Sequence, residues 1–304
     1  MVDYTGDNEQ RKTILIFGVN GMLGHKVYQV LKADGRFKVY GTIRGKFATI
    51  RHFRFFDKKD IIEKVNILSQ GLADNTVYQV MPDVVINCIG IVKQSPMMKS
   101  EASTIITNSV FPHQLYETCH PLKKRLIHIS TDCVFSGKKG NYYESNTPDA
   151  LDLYGQTKYL GEIEKDGSLT IRTSIIGPEL GTSRGLLEWF ISNKGGEVNG
   201  YSMTAFSGFP TIVFAKVLKH IIVNYPDLWG LYHVASNPIS KYMLLNMIND
   251  RMDLDVKINK DTVYRCFRDL NAWKFKEVTG YSSPPWREMI DELVDDVKQY
   301  SKWR

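Results

Sequence analysis

The sequence predicts an α/β fold, a doubly wound parallel sheet joined to a smaller C-terminal α/β lobe. Three observations predict it. Residues 14–17, Ile-Leu-Ile-Phe, are wholly apolar, as a strand covered on both faces requires. Gly18, Gly21 and Gly24 follow at a spacing of three, and residues 25–31 then carry apolar side chains at helical spacing. Later strand-like runs at 84–86 and 126–129, the second interrupted only by His128, alternate with helical segments. The glycine turn has a specific physics. One glycine permits the bend, one lets the backbone approach a pyrophosphate, and one lets the helix pack close to its strand. The helix N-terminus then offers free N–H groups to phosphate. Gly18, Asn20, Gly21, Met22, Leu23 and Gly24 are the residues expected against a dinucleotide, which makes the sheet one of Rossmann type.

Composition narrows the class. The 304 residues are 43% hydrophobic and 24% charged, an ordinary globular balance. No apolar run approaches the roughly 18–20 residues that span a membrane, so no membrane partner is expected. Residues 1–12 are polar and lack a signal-peptide pattern, which predicts a loose tail and a cytoplasmic protein. Cys88, Cys119, Cys133 and Cys266 form no C-x-x-C pair and read as reduced thiols, with no metal site expected. The net charge of +6 comes without a basic block. It argues against a nucleic-acid partner and mildly favours an anionic substrate.

Residues 37–44 read as the second strand, ending at Arg44 with Lys46 nearby and no acid. At that place an Asp or Glu bonds the ribose 2′-hydroxyl of NAD, whereas an Arg accommodates the 2′-phosphate of NADP. Arg44 therefore predicts NADP(H), with NAD(H) as the lesser fit. Residues 52–56 read as a third strand with Asp57 at its end, in reach of the adenine. Residues 58–81 read as helix with a break near Gly71. Residues 84–90 form the next buried strand, whose end, Cys88, Ile89 and Gly90, passes under the cofactor. Residues 104–119 read as a helix kinked at Pro112, with Asn108 inside it.

Residues 126–129 make a strand that ends in Ser130, Thr131 and Asp132. In an open α/β sheet ligands bind beyond the carboxyl ends of the strands, so Ser130 is expected beside the cofactor and Thr131 in the chemistry. Some two dozen residues on stands Tyr154-Gly-Gln-Thr-Lys158. Tyr and Lys four apart on a helix share a face. The ammonium favours the phenolate and tunes Tyr154 as a proton donor, while Lys158 can also bond the nicotinamide ribose. Thr131 is expected to hold a substrate carbonyl for hydride and proton. Y-x-x-x-K alone is weak: with 16 tyrosines and Lys usage near 6%, roughly one match arises by accident. Tyr28 and Lys32 are such a match, one turn past Gly24. Order and distance single out Tyr154 and Lys158.

The G-x-x-G-x-x-G spacing resembles the extended short-chain dehydrogenase/reductases. Ser130-Thr-Asp-Cys-Val-Phe-Ser-Gly137 resembles the S-T-D-x-V-F-x-G segment of the dTDP-4-dehydrorhamnose reductases, the RmlD-like group. So do Ile171-Arg-Thr-Ser174, Gly208-Phe-Pro-Thr211, Gly230-Leu-Tyr-His-Val-Ala235 and Pro284-Pro-Trp-Arg287. The resemblance covers roughly residues 13–290. It implies NADPH-dependent reduction of the 4-keto group of a nucleotide-activated 4-keto-6-deoxyhexose, in deoxysugar and surface polysaccharide biosynthesis. It implies catalytic Thr131, Tyr154 and Lys158, and an Asn108 that supports the active-site backbone. It divides the chain into a cofactor domain of residues 11–174 and 211–236 and a sugar-nucleotide lobe of 175–210 and 237–304. Helices are expected there at 186–192, 240–252 and 286–299. Asp132, Arg184 and Trp189 are the substrate candidates, with Tyr201 and Phe206 as further cleft residues, and a homodimer is the candidate assembly.

Cys133 departs from the group, where Tyr often follows Thr-Asp. GDP-fucose synthase and the plant-type UDP-rhamnose enzymes place an epimerising Cys two residues after their catalytic hydroxyl, the offset of Cys133 from Thr131. A thiolate there could take a proton α to the ketone if its pKa were lowered. Those enzymes also carry a His or Lys acid, and the loop 179–188 holds neither. A dehydratase needs an Asp-Glu pair where this chain has Asp132-Cys133. A further alternative is a cofactor-binding regulatory subunit without turnover, like the β subunit of methionine adenosyltransferase.

Overall fold

A computed structural model of the chain describes residues 11–69 and 71–300. The expected tail falls largely outside them, although Lys12 already belongs to the first strand. β1 (Lys12–Phe17) turns through the glycines into α1 (Gly24–Lys32), and β2 (Phe37–Thr42) returns parallel beside β1. Val27, Tyr28 and Leu31, at helical spacing, bury the inner face of α1. Then come β3 (Ile61–Ile62), α2 (Leu72–Val80), β4 (Val84–Asn87), α3 (Glu101–Ile105), α4 (Phe111–Cys119), β5 (Arg125–Thr131), α5 (Leu153–Leu160) and β6 (Ser168–Thr173). Short β7 (Ile175–Ile176) and β9 (Phe209–Pro210) pair with each other. Between them lie α6 (Leu186–Ser192) and β8 (Glu197–Ala205). The chain closes with α7 (Thr211–Asn224), β10 (Gly230–His233), α8 (Lys241–Met252), β11 (Lys257–Phe267), α9 (Trp273–Thr279) and α10 (Trp286–Lys298).

Among the described residues seven strands form one sheet in the order β10-β6-β5-β4-β1-β2-β3, every pair parallel. The order reverses at β1, between β2 and β4. That reversal opens a crevice beyond the carboxyl ends of the strands, the place where such sheets bind ligands.

Three expectations need correction. Residues 52–56 are turn, not strand. Phe53 and Phe56 are buried and Phe55 half-buried, with Phe56 5.4 Å from the Tyr28 ring. An aromatic cluster uses every side chain, so it shows no strand alternation. The third strand is Ile61–Ile62, and Asp57 precedes it: its side chain accepts the Lys59 N–H at the start of a 3₁₀ turn. Asp57 thus stands where β3 is entered, away from the carboxyl end that faces a cofactor. Residues 58–81 hold one helix, α2, which starts after Gly71. Residues 104–119 are α3 and α4 joined by a π-helical turn, Ile106–Val110, just ahead of Pro112.

A second core gathers Leu187 and Phe190 of α6, Val198 of β8, Leu244 and Ile248 of α8, and Ile290 and Leu293 of α10. Parallel β8 and β11 edge this core; both were missed by the sequence, because their exposed residues carry no clean apolar period. Phe275 and Met289, from the segment expected in the second lobe, are instead buried in the first core. The two cores are pinned together at α1. Lys26 and Asp296 form an ion pair 1% and 3% exposed. Burial lowers the Lys26 pKa and raises that of Asp296, each countered by the other. Beside them the His25 ring donates through Nδ1 to the Gly21 carbonyl at 2.7 Å and accepts from the Tyr300 hydroxyl at 2.9 Å.

Removing one partner of a buried pair leaves an uncompensated charge, at a cost of about 3–5 kcal/mol. Asp296→Ala should therefore lose about that much stability in urea unfolding, and Lys26→Met/Asp296→Leu markedly less. Equal losses would mean that the packing of α10, not the charge, sets the cost.

Candidate active site

The glycine turn is built for close approach. Gly18 has φ +80°, and a Cβ there would lie 2.8 Å from Ile89 Cγ1. A Cβ on Gly24 would lie 2.1 Å from the Gly18 carbonyl oxygen. α1 begins without a side-chain cap and without an acid in its first turn. The His25 and Lys26 N–H groups already bond the Gly21 and Leu23 carbonyls, so an anion would meet the N–H groups ahead of them, at Met22 to Gly24. Cys88, Ile89 and Gly90 border the same turn: Cys88 N–H donates to the Phe17 carbonyl at 3.1 Å. Burial pushes the Cys88 thiol up to about 12, so it stays a neutral small side chain. Arg44, exposed just past β2, reaches Met97 Sδ at 3.3 Å across the crevice. These features fit a dinucleotide with its pyrophosphate on α1 and its 2′-phosphate at Arg44.

The catalytic candidates converge at the carboxyl end of β5. α5 starts at Asp152, whose carboxylate caps the Gly155 N–H at 3.0 Å and pairs with Lys93 at 2.7 Å. Tyr154 and Lys158 lie one turn apart on this helix. Thr131 stands close enough to the Tyr154 phenol to favour its ionised form. Lys158 Nζ donates to the Ile129 carbonyl at 2.6 Å. Burial lowers the Lys158 pKa to about 8, while Glu162 and Cys88 oppose the fall. Burial and Cys133 raise that of Tyr154, so in the structure the phenol holds its proton.

Two glycines seat the helix. A Cβ on Gly155 would lie 2.3 Å from the Cys133 carbonyl oxygen, and one on Gly161 2.0 Å from that of Asn108. Asn108 lies in the π-helical turn. Its amide accepts from Ile91 N–H at 2.8 Å and donates to the Ile91 carbonyl at 3.0 Å and to Thr157 Oγ1 at 3.2 Å. One side chain thus joins the end of β4 to α5.

Other candidates fall elsewhere. The Ser130 hydroxyl donates to Glu162 Oε1 at 2.6 Å instead of facing the cofactor side. Glu162 in turn holds Arg172 through two bonds of 2.8 and 2.7 Å, a pair buried beneath the site. Arg184 lies exposed in a loop whose Gly185 abuts Met22 of the glycine turn. Trp189 is 40% exposed on α6, and Phe206 belongs to the second core. No hydrogen bond, ion pair or ring contact among the described residues ties Arg184, Trp189 or Tyr201 to Thr131, Tyr154 or Lys158. Tyr28 and Lys32 both bond Asp60, a structural role.

Sequence reasoning missed Arg268, just after β11. Its guanidinium donates to the carbonyls of Phe135 at 2.8 Å and Ser136 at 3.4 Å and lies 3.9 Å from Cys133 Sγ. Nothing in the local sequence marks it. Burial and then Asp132 push the Cys133 thiol up to about 12, with Arg268 and Lys93 opposing. That is the opposite of what a thiolate base needs.

A Tyr–Lys pair one turn apart, beside a strand-end Thr and a glycine turn, defines a short-chain dehydrogenase/reductase type of site. The chain belongs to the RmlD substrate binding domain family, whose model matches residues 12–299. It is 27% identical over 271 residues to the methionine adenosyltransferase 2 subunit beta of Bos taurus, covering 81% of this chain and 74% of that one. It is 26% identical over 243 residues to the dTDP-4-dehydrorhamnose reductase of Aggregatibacter actinomycetemcomitans, covering 74% of each. The fold matches the Bacillus anthracis dTDP-4-dehydrorhamnose reductase solved with NADP, with TM-score 0.77, 19% identity, and coverage of 94% of this chain and 99% of that one.

Arg44→Asp should weaken NADPH binding far more than NADH binding in a fluorescence titration; equal losses would remove Arg44 from the 2′-phosphate. Lys158 holds its ammonium below about pH 8 and loses it above. Ketone reduction should therefore decline as pH rises through that value, and a flat profile to pH 9.5 would show that the ammonium is not needed.

Proposed function

We propose that the chain reduces the 4-keto group of a nucleotide-activated 4-keto-6-deoxyhexose with NADPH. The observation that carries the reading is the convergence of Thr131, Tyr154 and Lys158 at the end of β5, next to a glycine turn open to a dinucleotide. Family membership and the reductase relatives support the substrate class. NADPH, when bound, supplies the hydride to C4. Tyr154 gives its proton to the O4 alkoxide, turning C=O into CH–OH. Lys158 supports the phenolate that is left, which offsets the burial that otherwise resists it. The positive charges of Lys93 and Arg268, both acting on Cys133, suit a substrate with a diphosphate.

Epimerisation by Cys133 is the weaker reading, since its thiol is held neutral and the 179–188 loop supplies no His or Lys acid. A second copy of the chain is the proposed partner. Ile105, Ile106 and Val110 of the α3–α4 run and Tyr159 and Leu160 of adjacent α5 are 38–61% exposed, an apolar face suited to self-association. Light scattering should give twice the chain mass, and Leu160→Glu the single mass; a monomeric wild type removes this partner.

The deciding assay follows NADPH oxidation on UDP-, dTDP- and GDP-4-keto-6-deoxyhexoses in D₂O, with and without a separate 3,5-epimerase. Turnover on pre-epimerised sugar, without solvent deuterium at C3 or C5, is expected. Tyr154→Phe should cut kcat by about 10²–10⁴-fold, the usual worth of a positioned acid, with NADPH binding nearly unchanged. Deuterium at C3 or C5 on unepimerised sugar would restore the Cys133 reading. Tight NADPH binding with no turnover on any sugar would favour a regulatory subunit.

A further inference from the structure

The glycine turn is tied to the far end of the chain by hydrogen bonds that run in one direction. A backbone carbonyl only accepts, so the 2.7 Å contact between His25 and the Gly21 oxygen puts the imidazole proton on Nδ1. Burial holds the His25 pKa down at about 3, so the ring carries that one proton and Nε2 is an acceptor. The Tyr300 hydroxyl, 2.9 Å from Nε2, therefore donates to it. The Tyr300 oxygen in turn accepts from the Gln29 amide at 3.2 Å. The order is Gln29 to Tyr300 to His25 to Gly21.

What this order reaches is the peptide between Gly21 and Met22. Its carbonyl takes the His25 backbone N–H at 3.2 Å as well as the ring. A peptide unit is planar and trans, so its N–H points opposite to its C=O. With the Gly21 oxygen held toward α1, the Met22 N–H is aimed out of the start of that helix, where a pyrophosphate would sit. Among the described residues that N–H bonds no group of the protein. A glycine restrains its own backbone least of all residues, so this peptide gains most from an outside hold.

Tyr300 is placed to supply that hold. It is buried just past α10, with Lys26 Nζ 4.8 Å from its ring centre and the Phe55 ring 6.3 Å away. α10 is set in both cores, through Met289 in the first and Ile290, Leu293, Val294 and Val297 in the second. The hydroxyl that orients His25 is thus delivered by a helix rooted outside the glycine turn.

We propose that Tyr300 is a positioning residue for the cofactor: through His25 it holds the peptide between Gly21 and Met22 with its N–H toward the pyrophosphate, so that α10 acts as part of the NADPH site. The inference rests on the NADP(H) reading of the glycine turn and not on the sugar.

The test measures NADPH binding by fluorescence titration of the full chain, with Tyr300→Phe, His25→Leu and both. Tyr300→Phe keeps the ring and removes one neutral hydrogen bond, so the Kd should rise about 3–10-fold, the scale of such a bond. His25→Leu should raise it at least as far, and adding Tyr300→Phe to His25→Leu should change nothing further. His25→Asn should bind more tightly than His25→Leu, because an asparagine can bond the carbonyl four residues back. Asn193, Asn224 and Asn246 each do so in this chain, at 2.7, 3.1 and 2.7 Å. His25→Asn should be equally indifferent to Tyr300→Phe. Val297→Ala thins the second core on the same helix and separates position from stability. It should lower the urea midpoint at least as much as Tyr300→Phe and leave the Kd within about twofold. A Tyr300→Phe effect that adds to that of His25→Leu, or a Val297→Ala Kd that rises with the loss of stability, would overturn the proposal. A wild type that binds no NADPH would overturn it together with the cofactor reading. Tight binding without turnover on any sugar would defeat only the reductase reading, and the binding cycle would still decide the role of Tyr300.

Discussion

The site depends on how closely α5 is pressed between two backbone segments. Gly155 meets the Cys133 carbonyl and Gly161 the Asn108 carbonyl at distances no side chain would allow. Tyr154 immediately precedes the first contact and Lys158 lies between the two, so both are carried on a stretch of α5 held close against backbone at each end. The π-helical turn is part of the same constraint. It turns Asn108 inward, where one amide satisfies both backbone groups of Ile91 and a hydroxyl of α5. A regular α-helix through 104–119 would present a different residue at that place. The strand end, the π-helical turn and α5 therefore hold a common register.

Burial gives the site its electrostatic character. Lys158 and Asp132 are buried and Tyr154 and Cys133 half-buried, and desolvation is the largest influence on each. Left alone, every one would be driven to its neutral form. The chain answers with specific neighbours: Glu162 for Lys158, Arg268 and Lys241 for Asp132. Glu162 is itself fixed by the two-bond contact with Arg172, so its charge is paired before it acts on the lysine. In a water-poor pocket these fixed charges act more strongly than they would at the surface.

Much of this was legible in the residue order, for identifiable reasons. The glycine turn, the buried strands and the Tyr154–Lys158 spacing are local patterns, and local patterns survive in one dimension. Asp57 was misplaced because an aromatic cluster looks like a strand when its burial partners are unknown. Ser130 was assigned to the cofactor because the partner that turns it inward, Glu162, is 32 residues away. Arg268 was invisible for the same reason: its carbonyl partners at Phe135 and Ser136 lie more than a hundred residues earlier. β8 and β11 are half-exposed strands whose pairing, not their composition, makes them strands. Residues whose work is done with distant partners are the ones that sequence order conceals.

The contact between α1 and α10 bears on how the molecule is made. A growing chain emerges amino end first and its early segments begin to fold before the rest exists. Here the ring that supports the Gly21 carbonyl takes its other hydrogen bond from a hydroxyl 275 residues later, and the neighbouring lysine waits for a carboxylate 270 residues later. Until α10 has been synthesised and docked, the Lys26 ammonium keeps only Gln29 and the His25 ring only the Gly21 carbonyl. The glycine turn is thus among the first parts of the chain to be translated and among the last to be finished.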